Sequence, residues 1–452
     1  MGKELIFKTM RHEETERMPW VPFAGIHSGK LAGYTAEEIL KDGQKLYESL
    51  MEVAKVYGPD GMPIMFDLQL EAEIMGCELL WAEDNPPAVN THPNEGDAKG
   101  IPCRCKIPTK TSGRIPVMLE AMTKLKASVG DDIALYGLIC GPFTLASHLR
   151  GTDIFLDMLM DEDYVRELVN FCAEVAMKMC DFYIEAGMDV IAVVDPLVSQ
   201  IAPESFESML SDAFTTVFDY IRNKDRFSSF FVCGNAAPQL DVMCKTNPDS
   251  IAVDENVDFK AGKEVTDQYN IAISGNVPLA TVMLHGEPKD NLKYVVELLD
   301  SIADKRNMIV SPGCDMPYDV PLENTIACSQ AVKNTEQARE LIKGYDGPDL
   351  SDIEIDIPDY EKLERPFVEV FTFDSVQCAA CTYMMAAAQK AKDYFGDKID
   401  IIEYKYTERE NVVRCQRMGI SNLPTMCING EIKHISMIPD SEELRKEIEE
   451  LF

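Results

Sequence analysis

Four short runs between residues 228 and 314 are apolar at consecutive positions. Each ends in polar or sulfur-bearing residues: 230–234 with Cys233, 251–255 with Asp254 and Glu255, 271–276 with Asn276, and 308–314 with Cys314. Segments with helical patterning separate them. Parallel strands buried on both faces carry such unbroken runs, and their alternation with helices predicts an α/β fold. Four earlier runs, 18–24, 61–67, 133–140 and 189–195, have the same character. The eight together predict a closed (β/α)8 TIM-type barrel. Amphipathic helices are expected over 154–186 and 203–223, and Thr35 with Glu38 forms a capping-box pattern. Residues 78–118, rich in Pro, Asn and Thr, read as a β-hairpin insertion.

The pattern changes after Lys343. Residues 344–365 are rich in Asp, Glu and Pro without helical periodicity, which predicts an acidic, extended linker. Beyond it come a strand (367–373), a Cys378-Ala379-Ala380-Cys381 motif, a helix to about Tyr394, a strand (399–406), a second helix, two further strands about Gly430, and a helix from about Ser441. The reading is a barrel over 1–343, a linker over 344–365, and a small βαβαββα domain over 366–452.

A chain of 452 residues is too long for one ordinary core, which agrees with that division. The net charge of −34 argues against nucleic acid or an anionic membrane as partner. No run of 18 apolar residues occurs and the first residues lack a signal peptide's apolar stretch, so a cytoplasmic location is expected. Fourteen irregularly spaced cysteines are not a secreted disulfide framework; most are expected to be reduced, buried thiols.

In barrels of this class the chemistry sits just past the C-terminal ends of the strands. Cys233, Glu255 and Cys314 fall there, and two thiolates with a carboxylate form a donor set for zinc. As plain structure, a cysteine closing a buried strand is a buried thiol, and only one of Asp254 and Glu255 is expected to point inward. Asp67 and Asp195 equally suit helix capping.

Several further motifs are collinear over roughly residues 1–345: Glu71-Ala72-Glu73-Ile74-Met75-Gly76, Gly141-Pro142-Phe143-Thr144, Asp195-Pro196, Cys233-Gly234-Asn235, Ser274-Gly275-Asn276-Val277-Pro278 and Ser311-Pro312-Gly313-Cys314. Together they resemble the uroporphyrinogen decarboxylase superfamily, and within it the methylcobalamin:thiol methyltransferases. That resemblance implies zinc held by Cys233, Cys314 and Glu255, with Phe231 where the family offers a histidine; His148 and His285 are the substitutes available elsewhere in the chain. It implies transfer of a methyl group from a methyl-corrinoid, free or carried by a partner protein, to a small thiol that zinc has deprotonated. Asn276, Asp195 and His27 are the expected cofactor contacts, Asp67 a catalytic carboxylate, and a second copy of the chain a further partner. The decarboxylase branch holds a tetrapyrrole's carboxylates with arginines. The matching stretch here, 21–34, has only His27 and Lys30, which disfavours decarboxylation.

Cys378 and Cys381 follow a strand and open a helix, whose N-terminus lowers a thiol pKa. With Pro424 in Gly419-Ile420-Ser421-Asn422-Leu423-Pro424-Thr425, which resembles a cis-proline loop, the C-terminal domain resembles thioredoxin or glutaredoxin. Its expected role is to reduce an oxidised acceptor, to keep Cys233 and Cys314 reduced, or to offer Cys378 as methyl acceptor. A different class also stands: a zinc-free barrel that binds a corrinoid or tetrapyrrole, with the CxxC pair as a thiol-disulfide oxidoreductase.

Overall fold

The computed structural model describes residues 2–347, 353–376 and 378–452; residues 348–352 of the expected linker lie outside them. Seven parallel strands form the first sheet in chain order: β1 (Gly61–Pro63), β2 (Ala134–Cys140), β3 (Val190–Val194), β4 (Phe227–Val232), β5 (Ser250–Val253), β6 (Ala272–Val277) and β7 (Met308–Pro312). Alternate side chains explain the unbroken apolar runs. Tyr136, Leu138, Ala192, Val194, Phe231, Ala252 and Ile309 pack together on the inner face of the curled sheet. Their neighbours Leu135, Ile139, Ile191, Val193, Phe230, Val232 and Val310 pack outward among the helices.

The expected eighth strand, 18–24, differs from prediction. It contributes one parallel bridge, Trp20 to Val310. Val21 N–H donates to Val310 O (3.0 Å), Val310 N–H to Pro19 O (3.0 Å), and on the other side Asp60 N–H to Trp20 O (2.9 Å). The segment thus touches both edges of the sheet, but Pro19 and Pro22 have no N–H to extend a ladder.

The hairpin insertion is smaller than expected. Leu79–Leu80 pairs antiparallel with Ala88–Val89, and a helix, Ile115–Val129, already begins before residue 118. The predicted long helices are each broken once, at Asp161 and at Leu210.

A second sheet lies in the C-terminal region: β8 (Phe367–Thr372), β9 (Asp400–Lys405), β10 (Thr425–Ile428) and β11 (Glu431–Ile435), ordered β9-β8-β10-β11. The β8–β9 pair is parallel and the other two are antiparallel. The order of elements follows the expected βαβαββα pattern. Two helices lie where the sheets approach each other: α1 (Pro142–Arg150), after β2, and α2 (Ala379–Phe395), after β8.

The two sheets are joined by packing. Ala380 and Tyr383 of α2 belong to the same apolar cluster as the helices around the first sheet. The Tyr383 ring meets Phe155 edge-on at 6.0 Å, and its hydroxyl lies 3.2 Å from Ser147 Oγ. Lys390 Nζ donates to Thr152 Oγ1, and His285 Nε2 donates to Thr407 O. Among the described residues, no helix is long and apolar enough to cross a membrane.

Candidate active site: a cavity lined by two cysteine pairs

At the end of β4 the chain turns through Cys233 and Gly234. Gly234 has φ +87°, and a Cβ there would approach Ser199 Oγ to 2.6 Å, so the turn needs glycine on both counts. The Asp254 carboxylate just past β5 holds this turn. It accepts from Gly234 N–H, and from Asn256 N–H (2.9 Å) and Nδ2 (3.0 Å). Glu255 Oε1 accepts from Leu279 N–H (3.1 Å) beyond β6, while its other oxygen lies where a Cβ on Gly313 would be. Three strand ends are thereby tied together by two adjacent carboxyl groups.

Cys233 and Cys314 meet across this cluster, paired as a disulfide with Cα atoms 6.4 Å apart. Cys378, the N-cap of α2, pairs with Cys381, Cα atoms 5.1 Å apart, and Cys378 Sγ accepts from Cys381 N–H. All four cysteines line one cavity of about 370 Å³ between the first sheet's strand ends and the C-terminal unit. Asp254, Glu255 and Asp315 form part of its wall, with Phe66, Leu68, Tyr406 and Leu423; no lysine, arginine or histidine is in the described lining.

Burial raises the Asp254 and Glu255 pKa values above the ordinary carboxylate range, and the neighbouring Asp254 charge pushes Glu255 further. Asp315 is raised well above its ordinary value, again by burial, against the pull of Gly25, Ile26 and Met316 backbone N–H groups. Among the described residues its Oδ1 has no hydrogen-bond partner.

The other expected site residues lie elsewhere. Asp67 is in a buried ion pair with Arg114 through one oxygen and accepts from Gln69 N–H through the other, so both are engaged. Asp195 accepts from Phe143 N–H (2.9 Å), Thr144 N–H (3.1 Å) and Thr144 Oγ1 (2.6 Å), and burial pushes its pKa up to about 7. It caps α1 rather than the helix that follows it. His27 is fully buried, with Nδ1 on Tyr318 O (2.9 Å) and Nε2 on Tyr57 Oη (2.6 Å), and burial lowers its pKa to about 4. Both its nitrogens are engaged, so it is not placed to touch a cofactor. Asn276 follows a cis peptide bond; its Nδ2 donates to Asp254 O and Val257 O, and Tyr294 Oη donates to its Oδ1. It supports the strand ends from beneath. Pro424 follows the cis Leu423–Pro424 bond beside the cavity.

The expectation that only one of Asp254 and Glu255 faces inward fails, because strand alternation stops at Val253 and both residues lie in the loop beyond. Asp315 is a site residue that sequence reasoning does not single out; its position directly after a strand-closing cysteine is the signal that points to it.

Zinc meets a specific difficulty. Among the described residues, no group of three or more His, Cys, Asp or Glu side chains is placed to hold a metal ion. Cys233 and Cys314 are bonded to each other, and the Phe231 ring packs in the sheet's inner core, 4.9 Å from Phe23 and 5.3 Å from Phe66. His148 is buried with its pKa lowered to about 3, and His285 serves the contact with Thr407. The expected Cys233, Glu255 and Cys314 ligand set does not fit zinc in this paired arrangement.

The family model for uroporphyrinogen decarboxylase (URO-D) matches residues 1–335. Methylcobamide:CoM methyltransferase MtbA of Methanosarcina acetivorans is 27% identical over 340 residues, covering 74% of this chain and 97% of that protein. Methylcobamide:CoM methyltransferase MtaA of Methanosarcina barkeri is 26% identical over 276 residues, 60% of this chain and 78% of its own length. A uroporphyrinogen decarboxylase of Prochlorococcus marinus is 24% identical over 302 residues, 64% of this chain and 83% of that one. Among solved structures, a methyltransferase from Methanosarcina mazei shares the fold, with a TM-score of 0.68 at 24% identity over 74% of this chain and 99% of its own. The family match spans well over half of the sequence, and the chain belongs to the uroporphyrinogen decarboxylase (URO-D) family.

Proposed function

We propose that this protein transfers a methyl group from a methyl-corrinoid, free or bound to a partner protein, to a small thiol held at the strand ends. The observation that carries the reading is the cavity itself: it lies at the C-terminal ends of the strands and is walled by Cys233, Cys314 and three carboxyl groups. The methyltransferase relatives, matched over most of their length, support the reaction class. A thiol attacks as its thiolate. The Asp254 carboxyl in the cavity wall, which burial raises only to about 6 and which is therefore mostly ionised at neutral pH, is the proposed acceptor for the thiol proton. The thiolate then attacks the methyl carbon, and the electron pair of the broken bond leaves with the corrinoid.

The described lining carries acidic groups and no basic one, which favours an acceptor thiol without an acidic group of its own. It also counts against decarboxylation of a tetrapyrrole, whose carboxylates need cationic partners. Zinc belongs to this reading only once the pair is reduced, when the Cys233 and Cys314 thiolates and Glu255 become available donors. About one zinc per chain in reduced protein, lost in Cys233→Ser, is the expected metal analysis.

Residues 366–452 are proposed as a thioredoxin-like domain in a supporting redox role. A CxxC pair at a helix N-terminus beside a cis-proline loop supports that placement.

The test is demethylation of methylcobalamin by reduced protein, followed spectrally with 2-mercaptoethanol, cysteamine and 2-mercaptoethanesulfonate. Turnover is expected with the first two above the third, and Asp254→Asn should slow it by about 100-fold. No demethylation with any thiol would overturn the reading.

A further inference from the structure

Two cysteine pairs, one at the strand ends of the first sheet and one at the start of α2, open onto one cavity. Cys233 and Cys314 close the β4 and β7 ends of the first sheet; Cys378 and Cys381 open α2 above them. We propose that the Cys378–Cys381 pair reduces the Cys233–Cys314 disulfide directly, by thiol–disulfide exchange within one chain.

The two cysteines of the CxxC pair are unequal. Cys381 is fully buried, whereas Cys378 is half-buried at the cavity edge and its sulfur accepts the Cys381 N–H. An unpaired N–H at a helix N-terminus stabilises a thiolate there, which makes Cys378 the attacking residue and Cys381 the resolving one. The docking contacts of α2, Tyr383 on Phe155 and Ser147 and Lys390 on Thr152, hold the helix whose first residues line the same cavity as Cys233 and Cys314. One other cysteine, Cys415, lines the cavity, but it is buried with its pKa pushed up to about 12. The exposed cysteines, Cys103 and Cys105, are not part of the lining.

The step balances without further reactants. The Cys378 thiolate attacks one sulfur of the Cys233–Cys314 disulfide, forming a mixed disulfide and releasing the other sulfur as a thiolate. Cys381 then gives its proton to the released thiolate and attacks Cys378, breaking the mixed disulfide. Two electrons pass to the strand-end pair, which becomes a dithiol, and the CxxC pair becomes the disulfide. An external dithiol, protein or small molecule, returns the CxxC pair to its reduced form.

The exchange stands apart from methyl transfer, since neither of its tests reads corrinoid turnover. Removing the resolving thiol traps the intermediate. The full-length Cys381→Ser chain, oxidised mildly and digested without reduction, is expected to give a peptide pair linking Cys378 to Cys233 or Cys314 by mass spectrometry. Cys378 found free, or linked to a second chain, would overturn the proposal. In the wild type, a limiting amount of dithiothreitol should reduce Cys233–Cys314, read by differential alkylation, about ten times faster than in Cys378→Ser. Equal rates in two proteins with the same circular dichroism and melting temperature would overturn it as well.

Discussion

Phe231 shows how one side chain can decide the chemistry available at a strand end. Its ring fills the inner core between Phe23 and Phe66, so a histidine there would bury a polar ring in an apolar layer. Phe231→His is expected to lose about 2–4 kcal/mol of stability, and zinc should restore part of that loss in reduced protein only; thermal unfolding with and without zinc measures both. Buried carboxyls give a second prediction at this scale. Burial raises Glu71 and Asp195 to about 7, above their values in an unfolded chain. The folded protein therefore holds protons that the unfolded one releases. That stability is present below the unfolded-state values and is lost as pH rises through about 7. The melting temperature should fall from pH 6 to pH 8, and Glu71→Gln should flatten the slope. Asp67, Asp195 and His27 look like chemistry in the sequence because they are polar residues at strand ends. Each is consumed by a structural bond to a residue far away in sequence, Arg114, Thr144 and Tyr57, which no local pattern reveals.

At the scale of elements, the strand runs are legible because a sheet covered on both faces writes itself as consecutive apolar residues. The first run reads as a full strand by the same rule, yet its two prolines permit a bridge but not a ladder. The helix-end partnership of α1 is hidden. Its own N-cap, Gly141, has no side chain, and a Cβ there would collide with Asp195. The cap comes instead from the end of β3, which ties one strand's terminus to the first turn of a helix that precedes it in the chain. Asp195→Ala should cost about 2–3 kcal/mol in urea unfolding, because it strands buried N–H groups, whereas Asp195→Asn should keep most of that stability.

For the whole molecule, the sequence shows two units but not that they share a wall. Besides the His285–Thr407 bond, the contact rests on Tyr383, Ala380 and Lys390, whose spacing along α2 reads equally well as an ordinary amphipathic helix. A cavity of about 370 Å³ suits a small thiol, and Cys378, Ala380 and Cys381 at the start of α2 form part of its wall. On the methyl-transfer reading, loosening α2 is expected to widen the donor's approach to the strand ends. Tyr383→Ala, which loosens the contact, is expected to raise the rate of methylcobalamin demethylation while slowing exchange between the cysteine pairs. Both rates moving together would argue against a shared, alternately occupied mouth.

Because both cysteine pairs belong to one polypeptide and face one space, their reaction is first order in protein. Its half-time should be the same in a dilute solution as in a hundredfold more concentrated one, whereas reduction by a separate carrier protein would slow in proportion. A molecule built this way sets the oxidation state of its own strand-end thiols without having to meet another copy of itself.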